Sequence, residues 1–199
     1  MLVLKVKEEE FDLNHVAFVF IDCQNDFITG SLGTKEAQEA IKLIRNIAEI
    51  PIKHGYVTMD THYDKTYLNT REGRYLPIKH CIVDDYESDG HKTPFLFDLH
   101  CLTGIKKTTF GTLDLPVEIE QQQGKPECIV FVGFCTDICV IANVLITQAY
   151  FNNEIPIVVI EDACAGSTPE KHKAALDIMR SCQIDIAKYK DLAVEPLVG

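Results

Sequence analysis

Three apolar runs in this chain end in side chains that can do chemistry. HVAFVFID (15–22) ends in Asp22, a carboxylate at the rim of a buried run, where desolvation raises a pKa towards general-base use. In GFCTDIC (133–139) an apolar run turns into a helix. Thr136 or Asp137 is the expected cap, which puts Cys139 in the first helical turn. There the helix dipole lowers a thiol pKa and backbone N–H groups can hold an oxyanion. Cys139 is the better nucleophile candidate, with Cys135 its close rival. In IKKTTFGT (105–112) the pair Lys106-Lys107 offers a cation that can orient a carboxylate, favour a thiolate and stabilise transition-state charge.

A fourth cluster combines Asp60-Thr61-His62 with Glu72 and His80. Asp60 and His62 are two apart on an expected strand, so both point to one face. Two imidazoles with carboxylates suit a divalent metal, zinc first, with manganese or iron as alternatives. Such an ion serves as a Lewis acid.

These residues must be positioned by regular elements. The run 15–22 and CIVFVGF (128–134) read as strands buried on both faces. GYVTMDTH (55–62), IKKTTF (105–110), IPIVVIED (155–162) and residues 184–187 are the other expected strands. Helical spacing marks Lys35–Ile50, with Val117–Gln123 and Thr136–Asn153 as further helices. Thr168-Pro169-Glu170 opens a last one that runs to about Cys182, with Thr as N-cap and Pro at the first helical position. Residues 63–104 read as a long irregular stretch, a length that in a compact domain is usually functional. Strands alternating with helices predict an α/β fold with a parallel sheet, in which ligands bind at the carboxyl ends of the strands. One domain, residues 1–199, accounts for the whole pattern.

Composition narrows the function classes. A formal net charge of −11 excludes a general nucleic-acid binder, which needs a basic footprint, and docking on anionic lipid. No apolar run reaches the roughly 18–20 residues of a membrane span. The N-terminus lacks the apolar core of a signal peptide, so the expected location is the cytoplasm. The eight cysteines include no CxxC pair and read mostly as buried thiols.

The motifs IDCQNDFITGSLG (21–33), MDTH (59–62), LPIKHC (76–81), KKTTFG (106–111), VGFCTDICV (132–140) and DACAGSTPEKH (162–172) span nearly the whole chain. In this order they resemble the isochorismatase-like cysteine hydrolases, and within them the nicotinamidase/pyrazinamidase group. The resemblance implies a three-layer α/β sandwich whose six-stranded parallel sheet has order 3-2-1-4-5-6. It implies an Asp22–Lys107–Cys139 triad, with Lys107 chosen over Lys106 by Phe110 three residues on. It further implies a cis peptide at Phe134–Cys135, an oxyanion hole from the N–H groups of Cys135 and Cys139, and substrate contacts from Gln24, Phe27 and Phe134. The metal ligands it implies are Asp60, His62 and His80, with Glu72 as a candidate fourth. Thr61 replaces the aromatic residue often found between the first two ligands. The chain has no Trp, so aromatic wall falls to Phe27 and Tyr75. The implied partner is a small-molecule amide, and homo-oligomers are expected. Alternatives are a hydrolase of an N-carbamoyl compound or another small amide, and a binding or redox-sensing protein.

Overall fold

The computed structural model describes residues 2–94 and 102–196. In chain order the strands are β1 (Leu2–Val6), β2 (Glu9–Asp12), β3 (Val16–Ile21), β4 (His54–Asp60), β5 (Leu102–Lys107), β6 (Cys128–Phe134), β7 (Ile157–Ala165), β8 (Asp185–Ala187) and β9 (Leu192–Pro196). The helices are α1 (Asn25–Ile28), α2 (Lys35–Ala48), α3 (Arg71–Tyr75), α4 (Asp114–Gln123), α5 (Ile141–Tyr150) and α6 (Pro169–Ser181).

Six strands form one parallel sheet in the order β5-β4-β3-β6-β7-β8. Counted from β3, that is the expected 3-2-1-4-5-6. The two central strands, β3 and β6, are buried along their whole length, which is why they read as unbroken apolar runs. Alternation along each strand sends Phe18, Phe20, Val130 and Val132 to the face covered by α2. Val19, Ile21, Phe131 and Val159 go to the other face, against Leu115 and Ile119 of α4, Val144 of α5 and Leu176 of α6. The result is three layers, with the chemistry at the carboxyl ends of the strands.

Several boundaries differ from the sequence reading. β5 spans Leu102–Lys107 rather than 105–110, because Leu102 pairs with Gly55 and Lys107 with Asp60. Lys107 is therefore the last residue of its strand. Helix α4 starts three residues earlier than expected. The long apolar helix begins with a wide turn, Thr136–Val140, before α5. The stretch after residue 62 holds a 3-10 turn at Tyr67–Asn69 as well as α3. A second sheet, β2-β1-β9, was not foreseen. It pairs Leu2–Val6 with Leu192–Pro196 and sends Leu4, Val6 and Phe11 into the α2 face.

None of the described cysteines forms a disulfide, and five of these seven are buried. Cys101 lies outside the described residues. No described helix is long and apolar enough to cross a membrane.

Candidate active site

Asp22 follows β3 directly and takes a left-handed backbone conformation, φ 47°. Such a conformation is uncommon for a residue other than glycine, and it aims the carboxylate across the strand ends. Gly133, on the neighbouring β6, has φ 126°, and a Cβ there would lie 2.1 Å from the Ile21 carbonyl oxygen. Only glycine lets β6 pass this close to the end of β3. The next peptide, Phe134–Cys135, is cis, as the resemblance implied.

Asp22, Lys107 and Cys139 come together. Lys107 Nζ lies 2.6 Å from Asp22 Oδ2 and 3.6 Å from Cys139 Sγ. All three are at most 4% exposed. Thr58 Oγ–H donates to Asp22 Oδ1 at 2.7 Å. Asp22 Oδ2 is close to the ammonium but has no hydrogen bond of good angle, so a buried lone pair stays available for a proton.

Burial governs the protonation states here. It raises the pKa of Asp22, and the charge of Lys107 offsets this only in part. It works against the Lys107 ammonium too, but the Asp22 carboxylate outweighs it and holds the lysine above its usual range. Cys139 is pushed well above the ordinary thiol value, by burial first and by the Asp22 charge second. This corrects the expectation of a thiol made acidic by a helix terminus. Burial thus favours the neutral thiol over the thiolate. Burial also pushes Cys135 up, to about 12.

The turn holding Cys139 is wider than an α-helical one, with Val140 N–H donating to Cys135 O at 3.0 Å. Neither Thr136 nor Asp137 caps it. Thr136 Oγ1 is 2.8 Å from His172 Nδ1, and Asp137 accepts from both the N–H and the hydroxyl of Ser167 at 2.7 Å. These side chains tie the turn to the β7–α6 connection instead of to its own N–H groups.

Beside the triad, Asp60, His62, Glu72 and His80 offer ligand atoms that all lie within 4.8 Å of one another. His62 Nε2 and His80 Nε2 are 3.0 and 3.3 Å from Asp60 Oδ2, and 3.7 and 3.5 Å from the two Glu72 oxygens. His80 Nδ1 is 2.8 Å from the Ile78 carbonyl oxygen. A carbonyl can only accept, so Nδ1 carries the hydrogen and a neutral ring keeps the lone pair of Nε2 for the cluster. Two imidazoles, two carboxylates and this outer bond fit a divalent metal. Lys107 Nζ, 3.8 Å from Asp60 Oδ1, joins cluster and triad.

The three residues expected to touch substrate fare differently. Phe27 packs its ring edge-on to His80, centroids 5.7 Å apart. Phe134 is a core residue of the α2 face. Gln24 is fully buried, and its amide holds backbone: Oε1 accepts from Asp60 N–H, and Nε2 donates to the carbonyls of Asp60 and His91. Both donor hydrogens are thereby in use, so Gln24 positions Asp60. Tyr75 is 78% exposed and stacks under Arg71, away from any enclosed wall. Sequence reasoning missed Asp26, whose carboxylate accepts from the N–H of Cys81 at 2.7 Å and so fixes the residue after His80. It also missed Tyr67, whose ring contacts both His62 and His80. An acid inside an apolar turn was the available signal for the first.

A model of the isochorismatase domain matches residues 16–190, and the chain belongs to this family. Its fold is shared with a nicotinamidase from Bacillus subtilis at TM-score 0.71 and 22% identity, over 87% of this chain and 99% of that one. A pyrazinamidase of Pyrococcus horikoshii in complex with zinc gives 0.68 and 25%, over 87% and 99%. An isochorismatase family protein from Desulfovibrio vulgaris gives 0.66 and 18%, over 88% and 95%. No curated protein matches the sequence.

Proposed function

We propose that the protein is a cysteine amidohydrolase that cleaves nicotinamide, and pyrazinamide with it, to the acid and ammonia. The observation that carries this reading is the convergence of the Asp22–Lys107–Cys139 group with the Asp60, His62, Glu72 and His80 cluster, joined by Lys107. Solved nicotinamidases of the same fold support the substrate class.

Asp22 takes the Cys139 thiol proton through its free Oδ2 lone pair, while Lys107 holds the charge pair together. The sulfur attacks the amide carbonyl. The N–H groups of Cys135 and Cys139, at the start of the turn, hold the oxyanion. The tetrahedral adduct collapses to a thioester, and the proton on Asp22 leaves with the amine as ammonia. Asp22 then deprotonates a water, which hydrolyses the thioester to the acid and restores the thiol. Asp60, His62, Glu72 and His80 would hold a divalent metal, zinc by its ligand chemistry, and the ion would supply Lewis acidity towards the substrate's ring nitrogen.

The test is ammonia release from nicotinamide, pyrazinamide and an N-carbamoyl amine by zinc-supplemented protein. Turnover of the pyridine and pyrazine amides supports the reading. Turnover of the carbamoyl compound alone would keep the thiol chemistry and replace the substrate.

A further inference from the structure

Asn143 lies on α5, one turn after Cys139, in the apolar stretch IANVLIT, and is fully buried. A buried amide must find partners, and this one finds three. Nδ2 donates to the Cys139 carbonyl at 2.7 Å and to the Phe110 carbonyl at 3.1 Å. Oδ1 accepts from Thr112 N–H at 3.1 Å. Phe110 and Thr112 belong to the loop that leaves β5 straight after Lys107. Between them stands Gly111, where a Cβ would come within 3.2 Å of Ala142 on the same helix. The glycine lets the loop lie against α5 closely enough for the amide to span the gap.

We infer that Asn143 is a positioning residue that fixes Lys107 relative to Cys139. Lys107 ends β5 at the sheet edge, whereas Cys139 sits in the turn that follows β6 near the centre, with β4 and β3 between the two strands. Pairing within the sheet does not set the Nζ–Sγ separation of 3.6 Å. The amide of Asn143 closes that route directly, clasping the backbone of the nucleophile on one side and the loop after the lysine on the other. Asn143 is fully buried and its amide bonds go to backbone groups. The inference rests on the catalytic roles proposed for Lys107 and Cys139.

Asn143→Thr and Asn143→Ser separate this role from simple filling of the core. Either hydroxyl can still bond the carbonyl four residues back, which is Cys139 O, but reaches neither loop group. The probes are iodoacetamide alkylation of Cys139 and Cys135, mapped by peptide mass, together with kcat and KM for ammonia release. A displacement of about 1 Å in such a group costs on the order of 100-fold. The expected result is therefore a loss of about 10- to 100-fold in both kcat and Cys139 alkylation, with KM and Cys135 alkylation unchanged. Serine, the smaller replacement, serves if the threonine variant does not fold. Unchanged kcat and Cys139 alkylation in a folded variant would overturn the inference. So would faster alkylation of both thiols, which signals general loosening. If the wild type hydrolyses no amide, the functional reading fails, and the alkylation arm still decides the role of Asn143.

Discussion

Lys107 and Asp22 form an ion pair of 2.6 Å whose side chains are almost without solvent contact, and the same ammonium faces the sulfur of Cys139. A buried pair of this kind contributes little net stability when intact, since desolvation opposes the attraction. Removing one member is different, because it strands a charge in the interior.

Lys107→Met is therefore expected to cost about 3–5 kcal/mol of unfolding free energy in a urea titration. The double variant Lys107→Met/Asp22→Asn should regain much of that loss while remaining inactive. A single variant as stable as the wild type would mean that water reaches the pair.

The raised pKa of Asp22 gives a pH dependence with a definite sign. The proton-accepting form is the carboxylate, which exists above the pKa. Activity should be full above that value and fall as pH drops through it. The acidic limb of kcat/KM should then lie above the ordinary carboxylate range of about 4. A limb at or below that range would assign the base role elsewhere.

The metal cluster predicts a zinc-dependent melting temperature. Zinc at about 100 times its dissociation constant should stabilise the folded state by about 2.7 kcal/mol. Chelation should reverse the shift and raise KM for nicotinamide, and His80→Ala should remove the response. Calorimetry with and without zinc checks this. An unchanged melting temperature in the wild type would make the cluster a plain hydrogen-bonded network.

Cys135 is the nearest rival nucleophile, yet burial pushes its thiol up to about 12, and the nearby charge of Lys107 offsets this only in part. Only its backbone N–H enters the proposed chemistry. Cys135→Ala should keep turnover within a few-fold of wild type, since an amide N–H survives the change. Loss of turnover in a folded Cys135→Ala variant would exchange the roles of the two cysteines.

The sheet order was legible in the sequence because parallel strands covered on both faces are continuous apolar runs, as in VAFVFI and CIVFVGF. Asp22 was legible for a related reason, since it follows such a run, and Cys139 from its place in the turn after another; Lys107 was singled out over Lys106 only through the family motif with Phe110, because the expected strand 105–110 did not end at it. The β2-β1-β9 sheet was not legible, since its β1–β9 pairing joins residues about 190 positions apart and its short strands carry no periodic signal of their own. The start of β5 was misplaced because its register depends on Leu102 opposite Gly55, a contact invisible in either segment. Thr136 and Asp137 looked like caps by local rule, and tertiary partners on Ser167 and His172 overrode it. Gln24 looked like a substrate contact from its motif, whereas its donors go to the backbone of Asp60 and His91.

The most direct test of the thioester chemistry is mass analysis of the protein quenched during turnover of nicotinamide, with Cys139→Ala alongside. The expected result is an acyl adduct on the Cys139 peptide of the wild type, and neither adduct nor ammonia release in the variant. Ammonia release by folded Cys139→Ala, or an adduct on Cys135 in the wild type, would contradict it.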